Sequence, residues 1–512
     1  MSASIIRGKY LITRALDRHR CEQIDDGAIL QRDGVIAAIG SFADLARAHP
    51  DLPVVGSGNE VVLPGFVNAH HHIGLSPVQL GISDTTLELW FATSIAMRDR
   101  IPFYDTLYSV FEMVASGTTT AQHLHGWIPG DYRQTEEEAA AIIRAYEAVG
   151  MRVSYCYALR EQNHLVYEAN DAFLQRVPAE VRPMLAKYFG GFQMPAKETV
   201  ALFEHLYAKH AGKDRVRIQL APSNIQWCTD EGLALLADKA QTYGVPIHLH
   251  LVETPYQKEY ARRRGGGTAV DFIERFGLLG QKLTLGHAVW LTEGDLDKLA
   301  ASGTSVCHNC SSNLRLRSGV LPLNRLESRG INTAIGLDDV GINDDQDMLQ
   351  EMRLVLRLHR EPGMDDRVPA MAQVLRMATA GGAKTTPYAR EIGTLEVGKA
   401  ADLVMLDWHQ VSYPYLDRET PVLDAVIQRA KMSGVKTVMV GGEVIYRDGK
   451  FTRIDRDAAL AELAGILRRP LSAEEQERQR LAKAVFPQVK AFYDGYLDWN
   501  AHRPYYRPSA RA

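Results

Sequence analysis

Cysteine is scarce. Five residues in 512 (Cys21, Cys156, Cys228, Cys307 and Cys310) are too few and too scattered for a disulfide framework. No apolar run approaches the roughly 18–20 residues that a membrane-spanning helix requires. Neither sign of charge is in excess: 58 basic residues face 62 acidic ones, a net of -4. Nucleic acid and anionic membrane surfaces are therefore not expected as partners. The opening residues, MSASIIRGKYLITRALDRHR, hold no apolar core followed by a small-residue cleavage site, so a cytoplasmic location is expected. Internal repeats and low-complexity tracts are also missing. What is present is an ordinary globular composition, 46% hydrophobic and 23% charged, in a chain long enough to bury a substantial core.

Two blocks share a β texture. IIRGKYLITR (4–13), AILQRDGVIAAIG (28–40) and VVLPGF (61–66) are short β-branched runs broken by Asp-Gly and Pro-Gly turns. ADLVMLD (401–407) and VKTVMVGGEVIYRDGKFT (435–452) repeat that pattern far downstream. Between them, apolar strands such as RVSYCYAL, RVRIQLAPS, PIHLHLVET and LTLGHAVWL alternate with helical stretches. This spacing predicts parallel βαβ units. About eight fit, which gives a (β/α)8 barrel of the TIM type with its chemistry at the strand ends. The expected organisation is a small β-sandwich built from 1–63 and 393–455, the barrel over 64–392, and a C-terminal extension over 456–512. That extension is helical, then irregular, and carries seven aromatic residues between Phe486 and Tyr506. They are too many for a solvated tail and should cover apolar surface on the same barrel or on a neighbouring subunit.

Histidines gather at the predicted strand ends. In PGFVNAHHH, His70 and His72 sit two apart on an extended segment, so both project to one side while His71 points away. HLHLVE places His250 at the end of a later strand with Glu253 three residues on. LTLGHAV offers His287, and AIGLDD offers Asp338. Imidazoles with one carboxylate suit zinc, iron(II) or another first-row divalent ion better than calcium or magnesium.

PGFVNAHHH, HLHLVET, LGHAV, NCSSNLRL, AIGLDD and IGTLEVGKAADLVMLD, in that order, resemble the amidohydrolase superfamily. The likeness is to the branch holding cytosine, guanine and adenosine-type deaminases and the s-triazine hydrolases. It implies that His70, His72, His250 and Asp338 hold one divalent ion, zinc first and iron second. It also implies that Glu253 and His287 serve as an acid/base pair beside Asp338. Three neutral imidazoles and a carboxylate leave a position for water, whose pKa a cation lowers toward ~7. Asp338 would take its proton, Glu253 would protonate a ring nitrogen, and His287 would hydrogen-bond the water or the developing oxyanion. Members with two metals use a carboxylated lysine or a glutamate at the fourth strand end. RVRIQLAPSN offers neither, because Lys213 lies upstream and Gln219 is not an anion, so one ion is expected.

Asn68, Leu337 and Cys310 replace residues common in this branch. CHNC (307–310) is expected to be ordinary strand and loop, since it has neither a second CxxC nor a thioredoxin context. Ser312 and Asn313 should fix the loop, and His123 and His125 should line the pocket wall. LREQNHLVYEAN (159–170) is a candidate lid, with Gln162 and Asn163 as possible substrate contacts and Trp90 as a stacking face for a flat ring. The expected activity is deamination of a small N-heterocycle. Alternatives are hydrolysis of an amide, carbamate, urea or carbon–halogen bond at the same site and, remotely, a non-catalytic scaffold. The implied assembly is a homodimer or larger homo-oligomer.

Overall fold

Both terminal blocks are β-structure, as their texture predicts. A computed structural model of the chain describes residues 3–72, 74–126, 128–502 and 505. Ala3–Arg7, Gly27–Arg32, Val35–Ser41 and the short Val54–Val55 make a four-stranded sheet. A seven-stranded sheet joins Leu403–Asp407, Val435–Val440 and Glu443–Arg447 to Glu60–Pro64, Tyr10–Ala15 and Cys21–Asp25, with Lys450–Phe451 at its edge. Glu60–Pro64 is the junction, antiparallel to Leu403–Asp407 and parallel to Tyr10–Ala15. The turns at Asp33-Gly34, Gly441-Gly442 and Asp448-Gly449 have positive φ at both residues, the backbone that two-residue hairpins need. Ile6, Ile29 and Ile36 of the smaller sheet bury against Leu11, Val62, Leu403 and Met405 of the larger.

Between these blocks parallel strands alternate with helices, a mixed α/β arrangement. Phe66–His71, Thr118–His125, Arg152–Leu159 and Val216–Ile218 pair in sequence order. Ile247–Leu251, Leu283–His287, Ser305–His308 and Thr333–Ile335 do the same. Single parallel bridges join the two sheets, Leu220 to Ile247 at one seam and His71 to Asp338 at the other. The strands thus form two ladders meeting at both seams, not one continuous ladder. Most of these strand residues are buried on both faces, which is why the segments read as nearly unbroken apolar runs. Local signals set the helix ends: Asp131 caps Tyr132–Val149 through Gln134 N, and Gly150, with φ 90°, stops it in the left-handed region.

The GKAADLV segment has a clear structural task. Asp402 accepts from Arg152 Nε (2.7 Å) and Nη2 (3.1 Å), and from Gly441 N (2.7 Å). Arg152 begins a parallel strand and its side chain is only 1% exposed. This bidentate pair ties the β-rich block to the parallel strands where water has almost no access.

The C-terminal segment covers its own chain. Helix Ala473–Tyr493 buries Leu481, Val485 and Val489 against Leu87, Phe91 and Ile95. Tyr493 and Tyr496 stack edge-on with Tyr167 at 5.4 and 6.4 Å between centroids. Trp499 stays exposed, and Tyr506 lies outside the described residues. Cutting the chain after residue 455 uncovers this apolar face, so the shortened protein is expected to aggregate. Light scattering of the purified fragment checks this, and a soluble fragment with wild-type activity would show the helix to be dispensable.

Candidate active site

Each candidate side chain stands where a parallel strand stops. His70 lies in Phe66–His71, His250 in Ile247–Leu251 and His287 at the end of Leu283–His287, while Asp338 follows Thr333–Ile335. Several of these ends carry left-handed backbone at non-glycine residues: Val252 (φ 44°), His287 (66°), Ala288 (49°) and Asp338 (57°). Such strain costs on the order of 1 kcal/mol or more per residue and collects at functional sites. Val252 has a direct use. By alternation alone Glu253 would face away from His250, and the turn at Val252 brings it back to the same side. Two glycines make room for His70: a Cβ at Gly286 would sit 3.0 Å from His70 Cε1, and one at Gly336 would sit 2.6 Å from His70 Cβ.

Three imidazole nitrogens and one carboxylate converge. His72 Nε2 is 2.9 Å from His70 Nε2 and 3.1 Å from His250 Nε2. Asp338 Oδ1 lies 3.4 Å from His70 Nε2 and 3.2 Å from His72 Nε2. The opposite ring nitrogens fix the tautomers. His72 Nδ1–H donates to Leu124 O (2.8 Å), and His250 Nδ1–H donates to Ser223 O (2.7 Å). Their Nε2 atoms therefore present lone pairs, which do not hydrogen-bond one another. Burial, then the neighbouring imidazoles, pushes the pKa of His70 and His250 well below the usual histidine range. Neutral imidazoles facing a carboxylate form a ligand set, and bonds of ~2.1 Å at 90–110° put donor atoms about 3.0–3.4 Å apart. The residues present fit a divalent first-row cation. Gln219 is held by Ser154 Oγ (2.8 Å), and Lys213 pairs with Glu147 (2.8 Å), so neither offers a bridge to a second ion beside this one.

His70 is oriented by a chain of contacts that the sequence reading passed over. Its Nδ1 is 2.7 Å from His248 Nε2, and His248 Nδ1 is 2.8 Å from the Gln122 amide. Thr385 Oγ1 lies 3.2 Å from the far side of that amide and donates to Gly382 O (2.7 Å). If His70 offers Nε2 to a cation, its Nδ1 proton goes to His248. Gln122 then presents its oxygen to His248 and its NH2 to Thr385. The signal was available: His248 and His250 are two apart on one strand and share a face.

Beside the converging donors stand Glu253 and His287. Ser318 Oγ donates to Glu253 Oε1 (2.9 Å), which is 3.7 Å from His287 Nδ1. Burial raises the Glu253 carboxyl above the ordinary carboxylate range. His287 Nδ1–H donates to Asn313 Oδ1 (2.9 Å), leaving Nε2 3.7 Å from Asp338 Oδ2. Ser312 Oγ donates to Asp338 Oδ2 (2.5 Å). Burial works against ionising Asp338, yet His287, His72 and Ser312 outweigh it and hold the group below its usual value. His71 turns away, as expected, toward Ser109 Oγ (3.1 Å).

A cavity of about 570 Å³ opens on these residues, within the usual range for small-ligand pockets. His72, His250, Glu253, His287 and Asp338 form its floor, and Trp90 stands in its wall as expected. The other expected contacts are placed elsewhere. His125 faces Tyr155 Oη (2.7 Å) and Glu138 (3.2 Å). Gln162 Nε2 donates to Cys228 O (3.1 Å), and Asn163 Nδ2 donates to Gln226 O (2.7 Å). None of the three is among the cavity-lining residues. The two amides are spent on backbone carbonyls of 226–228, which makes their loop a strut instead of a lid. Asp339 does line the cavity, and burial followed by the neighbouring Asp338 pushes its carboxyl up to about 7. Four further lining residues, Glu474, Glu477, Arg478 and Leu481, come from the C-terminal helix. Of the cavity's cations, Arg478 pairs with Asp99 (2.5 Å) and Lys187 with Glu477 (2.8 Å). Among the described residues no carboxylate forms an ion pair with Arg100, whose guanidinium contacts Met97 Sδ at 3.8 Å.

Residues 61–445 match the amidohydrolase family, and residues 27–51 match an imidazolonepropionase-like composite domain of bacteria. The 5-methylthioadenosine/S-adenosylhomocysteine deaminase of Moorella thermoacetica is 30% identical over 445 residues, covering 86% of this chain and 94% of the relative. An adenosine deaminase from Xanthomonas campestris with bound zinc superposes with a TM-score of 0.75 at 24% identity, over 94% of this chain and 99% of that one. Atrazine chlorohydrolase from Arthrobacter aurescens TC1, complexed with zinc, gives 0.76 at 21% identity, over 90% and 99%. These two likenesses concern the fold. The family match, which spans most of the sequence and encloses every strand-end residue described above, leads to one conclusion: the chain belongs to the amidohydrolase family.

Proposed function

We propose that the protein is a mononuclear metal-dependent aminohydrolase that deaminates an amidine-type carbon of a small N-heterocycle. The observation that carries this reading is the convergence of three imidazole lone pairs and a carboxylate beside the Glu253–His287 pair, on the floor of one cavity. His70, His72, His250 and Asp338 are the ligands in this reading, with zinc the first choice and iron(II) the second. The eight parallel strands are read as a (β/α)8 barrel over 64–392. The terminal sheets are read as a β-sandwich from 1–63 and 393–455, with 456–512 as an added segment. The bridges at both seams and the shared core of the two terminal sheets support that division.

A divalent ion, when bound, supplies a Lewis acid that brings the pKa of water close to neutrality. Asp338 accepts the proton of the attacking water, and its low pKa keeps it ionised for that task. Glu253, whose raised pKa favours the protonated form, donates to the ring nitrogen next to the amidine carbon. His287, its Nδ1–H held by Asn313, accepts at Nε2 the remaining O–H of the oxygen that bonds to carbon. Collapse returns the hydroxyl proton to Glu253 while Asp338 gives its proton to the amino group. Ammonia leaves, and both carboxyl groups regain their starting states. Trp90 offers a stacking face, and Arg100 offers a partner for an anionic or carbonyl substituent.

Ammonia release by the zinc-loaded protein, measured over a panel of purines, adenine nucleosides, pterins and triazines with and without acidic substituents, tests the reaction. Deamination of at least one flat amidine-bearing ring is expected. Chloride release or amide cleavage with no ammonia from any ring would favour the alternative hydrolase reading instead.

A further inference from the structure

A second cluster of metal-type donors lies apart from the reaction centre. His308 ends Ser305–His308, Cys310 opens the short helix Cys310–Arg315, and His359 caps the C-terminus of helix Met348–Leu358. His308 Nε2 and His359 Nε2 are 2.8 Å apart, and Cys310 Sγ lies within 4.8 Å of both. None of the three is more than 1% exposed. Asn324 Nδ2 donates to His359 O (3.0 Å), fixing the backbone that delivers this ring. Burial, reinforced for His308 by the facing ring, pushes the pKa of both histidines far down, which favours neutral imidazoles, and it pushes the Cys310 thiol up, so the thiolate would form only with the ion bound. Fifty-one residues separate the two histidines, and folding alone unites them with the thiol.

We propose that His308, Cys310 and His359 form a structural site for a borderline or soft first-row ion, zinc or copper(I). Two imidazoles and one thiolate match the preferences of these ions and of few others. Bonds of ~2.1 Å require the two nitrogens to part by about half an ångström, which small rotations of the rings supply. The position gives the ion a purpose. Residues 309–313 follow His308 directly, and this turn sends Ser312 to Asp338, Asn313 to His287 and Asn309 to within 3.3 Å of His287 Nε2. Glu351 Oε1 accepts from Ser311 N (2.9 Å), about two turns before His359 on the same helix. An ion here would clamp that helix to the turn that positions the acid/base groups.

The test counts metal in the full-length protein after zinc loading and dialysis. Two equivalents are expected for the wild type, and one each for Cys310→Ser, His359→Gln and His250→Ala. Loading with cobalt(II) adds a spectroscopic readout. A near-ultraviolet sulfur-to-cobalt charge-transfer band is expected in the wild type and in His250→Ala, and its absence from Cys310→Ser would assign the thiolate. Loading with copper(I) under anaerobic conditions separates the two ions by which one survives a shared chelator. If zinc addition raises the melting temperature of His250→Ala but not of His250→Ala/His359→Gln, the site is structural. A wild type that takes up one equivalent, lost entirely in His250→Ala, with no thiolate band, would overturn the proposal and leave the pair as an ordinary hydrogen bond. A failure of the deaminase reading would instead show as missing ammonia release with the thiolate band intact.

Discussion

Glu253→Gln is expected to lower kcat by about 10²–10⁴-fold while metal content stays at the wild-type level. The substitution keeps the volume and the Ser318 contact but removes the transferable proton. Glu253 is turned into the cavity by Val252, beside His287 and not among the converging nitrogens, so no ligand is lost. Steady-state kinetics on the substrate found in the ammonia panel, with elemental analysis of the same preparation, separates the two roles. A variant without metal would make Glu253 a ligand. A variant with full metal and full kcat would move the proton transfer to another group, for which Asp339, a cavity carboxyl pushed up to about 7, is the next to test.

His250→Ala should lose the catalytic ion and the activity together. His250 holds one of three converging nitrogens, and its backbone and ring both donate to Ser223 O, at 3.1 and 2.7 Å. Alanine keeps the first of these bonds and deletes the ring, so the strand end should survive while the ligand set falls to His70, His72 and Asp338. Removing one of the four donors at this centre leaves an ion that exchanges readily. Dialysed protein should show no ammonia release and should melt as a folded protein. Retention of the ion at this centre with near wild-type turnover would mean that another side chain completes the set. His287 would be the first to examine, because its Nε2 also groups with His70 and Asp338.

The donor types were legible because strand ends write them locally. NAHHH, HLH, LGH and GLDD each place a ligand-type residue where an apolar run stops, and alternation settles which neighbours share a face. Beyond that range the sequence is silent for physical reasons. Glu253 sits at an odd offset, and the left-handed Val252 that rescues it leaves no mark on composition. Gln162 and Asn163 look alike whether an amide meets a substrate or a backbone carbonyl, and here they meet carbonyls. His359 lies at the end of an amphipathic helix, where nothing nearby foretells His308 or Cys310. The meeting of the parallel strands in two ladders depends on single bridges at Leu220 and His71, which no periodicity records. The terminal β blocks were easier, since their Asp-Gly and Gly-Gly turns announce hairpins and their apolar faces need each other.

The helix Ala473–Tyr493 lies beyond residue 445, where the family match ends, yet it lines the same cavity as His72 and Asp338. Floor and outer wall therefore answer to different constraints. The floor is set by strand ends, strained backbone and the converging His70, His72, His250 and Asp338 side chains. The wall includes a helix whose Glu474, Glu477, Arg478 and Leu481 line the cavity without joining the converging donors. Substitutions there are expected to change what enters the cavity while the converging donors of the floor stay in place.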